Sequence, residues 1–199
     1  MGSKPRHSGA VDSANRREVS LRSARPDDAR ALSAIARAAK AHWGYSEALL
    51  ALWAQDLTIT PELIRRDQYR VAERDGRPVA FLALAGEGPV LSIEHLWVLP
   101  EAMGVGVGGR LLTDALARCR DAGTSSIRIV SDPNAAGFYA RFGAREIGSV
   151  PSRPAPRQLP LLEIRLAPPI ATGGDAAASP DLSGSSCASE TRGEGSGDA

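Results

Sequence analysis

The chain predicts an α+β fold: a mixed, mostly antiparallel sheet of six or seven strands with about four helices packed on it. Three observations predict it. Its first half carries apolar alternation interrupted by "RDGR", the pattern of a tight hairpin. Its second half alternates strand-like and helix-like segments, as strand–helix–strand units do. At 199 residues, with 43% hydrophobic and 24% charged side chains, there is material for one core rather than two.

The elements follow in order. "VSLRSAR" (19–25) alternates apolar and polar residues and reads as a strand. "PDDARALSAIARAAKA" opens with Pro26 and two acids, a helix start, and then places Ala31, Leu32, Ile35 and Ala38 or Ala39 on one face. "SEALLALWAQDL" (46–57) repeats that period. "YRVAERDGRPVAFLALAG" (69–86) is a hairpin about Asp75-Gly76, and "PVLSIEHLWVL" (89–99) is a further strand. "GRLLTDALARCRDAG" aligns Leu111, Leu112, Ala115, Leu116 and Cys119, and ends at Gly123. "SSIRIV" (125–130) is a strand and "NAAGFYARFGA" (134–144) a short helix with Asn134 as its N-cap. "REIGSV" and "LPLLEIRL" form a closing strand pair, and no internal repeat is present.

Composition narrows the function. A net charge of +1 argues against a general nucleic-acid binder, and no apolar run is long enough for a membrane helix. The first residues lack the apolar core of a signal peptide, so the chain reads as cytoplasmic. The two cysteines, Cys119 and Cys187, have no ligand spacing, so no metal site is expected, and Cys119 reads as a small core residue. Residues 1–18 are polar and basic, and 167–199 are acidic and rich in Gly, Ser and Ala. Neither tail has the apolar side chains to offset its ordering entropy, so both are expected to be disordered around a folded domain at 19–166.

The chemistry begins at "LWVLPEAMGVGVGGRLL" (96–112). Glycines where a strand hands over to a helix present backbone N–H groups to an anion. A Walker A loop is excluded, because neither Lys4 nor Lys40 lies near it. "GVGVGG" satisfies GxGxxG, and Asp132 follows at about the spacing of a ribose-binding acid. Yet four residues separate strand from glycines, and too little chain follows for a dinucleotide sheet. The remaining reading is a pyrophosphate cradle of N–H groups from Gly104, Val105, Gly106, Val107, Gly108 and Gly109, with the helix dipole behind it.

This stretch resembles motif A of the GNAT acyltransferase superfamily, an (Arg/Gln)-x-x-Gly-x-(Gly/Ala) loop that binds acetyl-CoA. "DPNAAGFYARFGAREIG" (132–148) is similar to the same superfamily's motif B, and the resemblance runs from about 19 to 166. It implies a GNAT-like fold with acetyl-CoA as cosubstrate, transferring acetyl to a primary amine by direct attack in a ternary complex. The acceptor implied is a small-molecule or protein amine, and a homodimer is left open. The pattern departs at Met103, which stands where the superfamily has Arg or Gln and cannot neutralise phosphate. Arg110 is the nearest substitute, and the departure keeps open a non-catalytic CoA-binding sensor of the same fold.

The resemblance also assigns roles. Glu94 matches a glutamate that serves polyamine-acetylating members as a base through water. The competing reading is a solvated strand carboxylate. His95, on the opposite face by alternation, is the rival base by its native pKa. The backbone N–H of Val98, beside Trp97, matches the donor to the thioester carbonyl, at a bulge where this strand splays from the next. Tyr139 matches the group that stabilises the leaving thiolate, with Phe138 and Phe142 packed inward; a core aromatic is the alternative. Asn134 matches a cofactor contact. Trp43 and Tyr45, in a Gly-containing break between helices, are candidates for the acceptor pocket or for a buried aromatic plug.

Overall fold

Asp75 and Gly76 both have positive φ (53° and 71°), as a two-residue hairpin turn between twisted strands requires. That turn joins β2 (Gln68–Arg74) to β3 (Arg77–Ala85), and the predicted hairpin forms in the predicted place. The structure, a computed structural model, describes residues 19–152 and 157–167. The expected disorder of 1–18 and of the acidic tail, and Cys187, lie outside those residues.

The other strands are β1 (Val19–Ser23), β4 (Val90–Val98), β5 (Ser126–Val130), β6 (Arg145–Pro151) and β7 (Gln158–Arg165). They make one seven-stranded sheet, within the six or seven strands predicted, in the order β1-β2-β3-β4-β5-β7-β6. Every neighbouring pair is antiparallel except β4–β5. A parallel pair needs a crossover, and α4 (Val107–Asp121) supplies it.

Helices cover both faces. On one side α1 (Ala29–His42) and α3 (Pro61–Arg66) bury Leu32, Ile35 and Ile64 against Tyr69, Val71 and Phe81. On the other, α4 and α5 (Pro133–Ala140) bury Leu111, Leu112, Leu116 and Tyr139 against Leu82, Leu84, Ile127 and Ile129. Cys119 is 3% exposed and takes its expected core place.

The structure revises four local expectations. The helix expected over 46–57 is α2 (Glu47–Leu52). Its continuation tightens into turns, Ala54 N donating to Ala51 O at 3.2 Å, as Trp53 and Leu57 turn into the core. Helix α3 was not expected, although Thr60 caps it by accepting from Leu63 N and Pro61 opens it. Helix α4 starts two residues before Gly109, which places Gly108 and Gly109 in its first turn. Asn134 is not the N-cap of α5. Pro133 fills the first helical position, so the cap falls on Asp132, whose carboxylate accepts from Asn134 N at 3.1 Å.

Candidate active site

Strand β5 pairs with β4 only from Val90 to Ile93, while β4 runs on to Val98. The two strands therefore part after Ile93 and open a cleft of ≈ 420 Å³, within the range of small-molecule sites. The same point carries a bulge: Leu84 pairs with Ile93 and Ala83 with His95, leaving Glu94 without a partner on β3. The extra residue shifts the parity of the strand. Leu91 and Ile93 before it, and Leu96 and Val98 after it, all pack on the α4 side. Glu94 is exposed and lines the cleft with Leu96 and Val98.

Backbone direction follows from one hydrogen bond. Leu99 N donates to Val79 O at 2.9 Å, toward β3. By alternation the Val98 N–H points to the opposite edge, where β5 has already departed. The expected donor thus faces the open side, and the bulge sits at Glu94 rather than at Val98.

The glycine loop closes one end of the cleft. Gly104 and Gly106 have φ of +76° and +85°, left-handed geometry that only glycine adopts without strain, and Gly106 is the N-cap of α4. Residues 103–106 run as turns, and the first bond of α4 is Arg110 N to Gly106 O at 3.0 Å, so the glycine loop leads into the N-terminal end of the helix. A helix N-terminus entered through glycines in left-handed geometry fits a pyrophosphate. Gly108 and Gly109 serve differently. A Cβ on Gly108 would lie 3.3 Å from Val98 Cγ2, and one on Gly109 3.3 Å from Phe142 Cζ, so both permit close packing of α4 on β4 and α5. The Val107 side chain is buried and that of Val105 is 62% exposed. Met103 lines the cleft; Arg110 is exposed and does not. The cation that does line it is Arg141, at the end of α5, stacked 5.5 Å over the Phe138 ring.

Tyr139 lies across the cleft from β4. It is the most buried of its aromatic cluster at 6% exposure, whereas Phe138 and Phe142, 5.2 Å apart, are partly buried. Its hydroxyl has no hydrogen-bond partner among the described residues, and burial pushes its pKa well above the usual phenol value. Asn134 lines the cleft near it. His95 stands apart, on the α1 face between Tyr69 and Phe81, accepting from Trp97 Nε1 at its Nδ1 (3.2 Å). Burial lowers its pKa to about 4, so it is a poorer base than its residue type suggested.

Beyond β5 the cleft reaches Ala39, Trp43, Trp97 and Asp132, and there the structure assembles a polar cluster the sequence did not reveal. Asp132 Oδ2 accepts from Tyr45 OH at 2.7 Å, Lys40 Nζ at 2.9 Å and Arg157 at 3.4 Å, and Arg157 also donates to Tyr45 OH at 2.8 Å. Lys40 is 9% exposed, its ammonium 4.6 Å from the Tyr45 ring centroid, 4.7 Å from Trp53 and 5.9 Å from Trp97. Burial alone would raise the Asp132 pKa; the hydrogen bonds from Tyr45, Lys40 and Asn134 outweigh it and hold it at about 2. Tyr45 is therefore part of a charged hub, and Trp43, 42% exposed, is the aromatic left on the cleft wall.

A seven-stranded sheet opened between β4 and β5, with a glycine nest at the opening, defines a class. Residues 30–144 match the acetyltransferase (GNAT) family, and the chain belongs to it. The chain is 35% identical over 71 residues to serotonin N-acetyltransferase 2, chloroplastic, of Oryza sativa subsp. japonica, a stretch covering 34% of each protein; it thus spans about a third of that relative's length. Among solved structures it is similar to the PaiA N-acetyltransferase of Thermoplasma acidophilum in complex with coenzyme A (TM-score 0.60, 20% identity, 74% of this chain and 99% of that one). It is also similar to a GCN5-related N-acetyltransferase of Rhodopseudomonas palustris (TM-score 0.63, 24% identity, 74% and 95%). These likenesses confirm the fold. Among the described residues there is no helix long and apolar enough to cross a membrane and no cluster of metal ligands.

Proposed function

We propose that the chain is an acetyl-CoA-dependent N-acetyltransferase that moves an acetyl group to a primary amine by direct attack in a ternary complex. The observation that carries this is the glycine loop at the α4 N-terminus, opening onto a cleft whose walls hold Glu94 and Tyr139. The nest and the α4 N-terminus would hold the diphosphate, with Arg141 supplying the positive charge that Met103 does not. Bound acetyl-CoA supplies the acetyl thioester and departs as the thiol.

Three residues would divide the work. An amine of pKa ~10.4 must lose a proton near pH 7, a cost of about 4–5 kcal/mol. Glu94, exposed at the cleft wall and reached by water, receives that proton. The Val98 N–H, facing the open edge of β4, polarises the carbonyl. The Tyr139 hydroxyl, unpartnered and held protonated by burial, donates to the departing sulfur. A phenol is a weaker acid than a thiol by more than about one pKa unit, so hydrogen bonding rather than full proton transfer is its contribution.

Thiol release with a panel of primary amines, run beside acetyl-CoA calorimetry, tests this. Glu94→Gln is expected to lower kcat/KM about a hundred-fold with acetyl-CoA affinity unchanged. Tyr139→Phe is expected to lower kcat about ten-fold or more without lowering Tm, since the hydroxyl bonds to nothing in the fold. Saturable acetyl-CoA binding with no turnover of any amine would instead support the sensor reading that Met103 favours.

A further inference from the structure

Helix α5 is eight residues long, too short to keep its shape and place without tethers. Tyr139, its one buried residue, lies near the far end, and the rest of the helix is at most partly buried. Asp132 caps the near end. At about 1.5 Å per residue, the helix start and Tyr139 are about 9 Å apart, so a tilt of about 6° displaces one against the other by about 1 Å. A misplacement of that size in a reacting group is worth up to about 100-fold in rate.

The hub around Asp132 is more than a cap requires. Oδ1 completes the cap by accepting from Asn134 N at 3.1 Å. Oδ2 accepts from Lys40 Nζ at 2.9 Å, from Tyr45 OH at 2.7 Å and from Arg157 at 3.4 Å, groups that come from α1, from the α1–α2 connection and from the β6–β7 connection. Desolvating an ion pair costs about as much as its attraction returns, so a buried pair is weak evidence of added stability; fixing one arrangement is its better-attested use. Lys40 suits that use. A lysine in water samples many rotamers, but this one is buried, its ammonium 4.6 Å from the Tyr45 ring centroid and 4.7 Å from that of Trp53. It is a strut from α1, whose Ala39 lines the cleft, to the start of α5, whose Tyr139 also lines it. Lys40 itself is not among the lining residues.

Resting on the acetyltransferase reading, in which the Tyr139 hydroxyl meets the departing sulfur, we infer that Lys40 is a positioning residue for Tyr139, acting through Asp132. No hydrogen bond to another described residue holds that hydroxyl, so its aim follows from where α5 lies. The strut decides that at the end of the helix the Tyr139 ring does not grip.

The test is a cycle on kcat, read well below the Tm of every variant. Lys40→Met keeps the aromatic box filled and releases Asp132, and it is expected to lower kcat about ten-fold with acetyl-CoA affinity unchanged. In a Tyr139→Phe background the same substitution should lower kcat by less than about two-fold, because the group it positions is already gone. Asp132→Asn, which keeps a capping side chain but removes the charge that Lys40 holds, should show the same dependence on Tyr139. Equal factors in the two backgrounds, or an unchanged kcat in Lys40→Met, overturn the inference. A spectroscopic arm needs no turnover. The full chain is labelled with 3-fluorotyrosine, and the Tyr139 fluorine resonance is assigned by its loss in Tyr139→Phe. That resonance is expected to shift or broaden in Lys40→Met. If it stays in place, the inference falls whether or not an amine is turned over. If it moves in a protein that acetylates no amine, the positioning of Tyr139 stands and the enzyme reading falls.

Discussion

Removing the Asp132 carboxylate should expose how strongly this hub holds the domain together. Two losses add. Oδ1 caps α5 through the Asn134 N–H, and losing an N-cap costs about 1 kcal/mol. Oδ2 is the counter-charge of Lys40, a cation with only 9% of its surface in contact with water. Stranding one member of a buried ion pair costs about 3–5 kcal/mol, and the Tyr45 and Trp53 rings beside the ammonium return part of that. Asp132→Ala is therefore expected to destabilise the protein by about 3–5 kcal/mol, lowering Tm by about 10 °C for a domain of this size. The decisive measurement is a cycle with Lys40→Met, read by urea denaturation. An apolar side chain of similar length fits the aromatic box, so the double variant should be more stable than Asp132→Ala alone, with a coupling of about 2 kcal/mol. Costs that simply add would refute the reasoning, because Lys40 would then not depend on Asp132 for its charge.

The two kinds of glycine in the loop should separate cleanly. Gly106→Ala forces a Cβ into φ +85°, costs about 1–2 kcal/mol and re-aims the N–H row, so acetyl-CoA affinity should fall about ten-fold. Gly109→Ala asks only that Phe142 give way by a few tenths of an ångström and should leave affinity within about three-fold; calorimetry showing the reverse order would dispose of the nest. His95 predicts a pH dependence of stability. Its folded pKa, lowered by burial to about 4, lies below the unfolded value of ~6.5, so the unfolded chain binds the proton first. Stability should be whole above about pH 6.5 and decline as pH falls toward 4, by about 3 kcal/mol in total. His95→Gln, which can still accept from Trp97 Nε1, should flatten that decline, and an unaltered profile would place the titrating group elsewhere.

Much of this fold is written in short-range code. Asp75-Gly76 specifies its own turn, and the stripe from Leu111 to Cys119 specifies a helix whatever surrounds it. The glycine loop was legible for the same reason, since glycines next to a helix start are a local signal, though sequence alone could not divide those that need positive φ from those that need room. The cap of α5 was also locally legible: with Pro133 at the first helical position the cap falls one residue earlier, on Asp132. What escaped is what pairing at a distance decides. Simple alternation puts Glu94 beside Leu96 and Val98 and Ile93 opposite them, and it is the slip against Ala83 and Leu84 that brings Ile93 onto the side of Leu96 and Val98. Lys40 was set aside because it lies far along the chain from the glycines, yet folding brings it to Asp132, 92 residues away. The missing loop cation follows the same logic. Arg110 is the neighbour in sequence, but its place on α4 turns it to solvent, whereas Arg141, just past α5 and 5.5 Å from the Phe138 ring centroid, lines the cleft. A binding loop defined by backbone donors leaves the chain free to draw its countercharge from any element that borders the cleft. On the proposed reading, Met103 is a departure from the superfamily's pattern rather than a defect in the cradle.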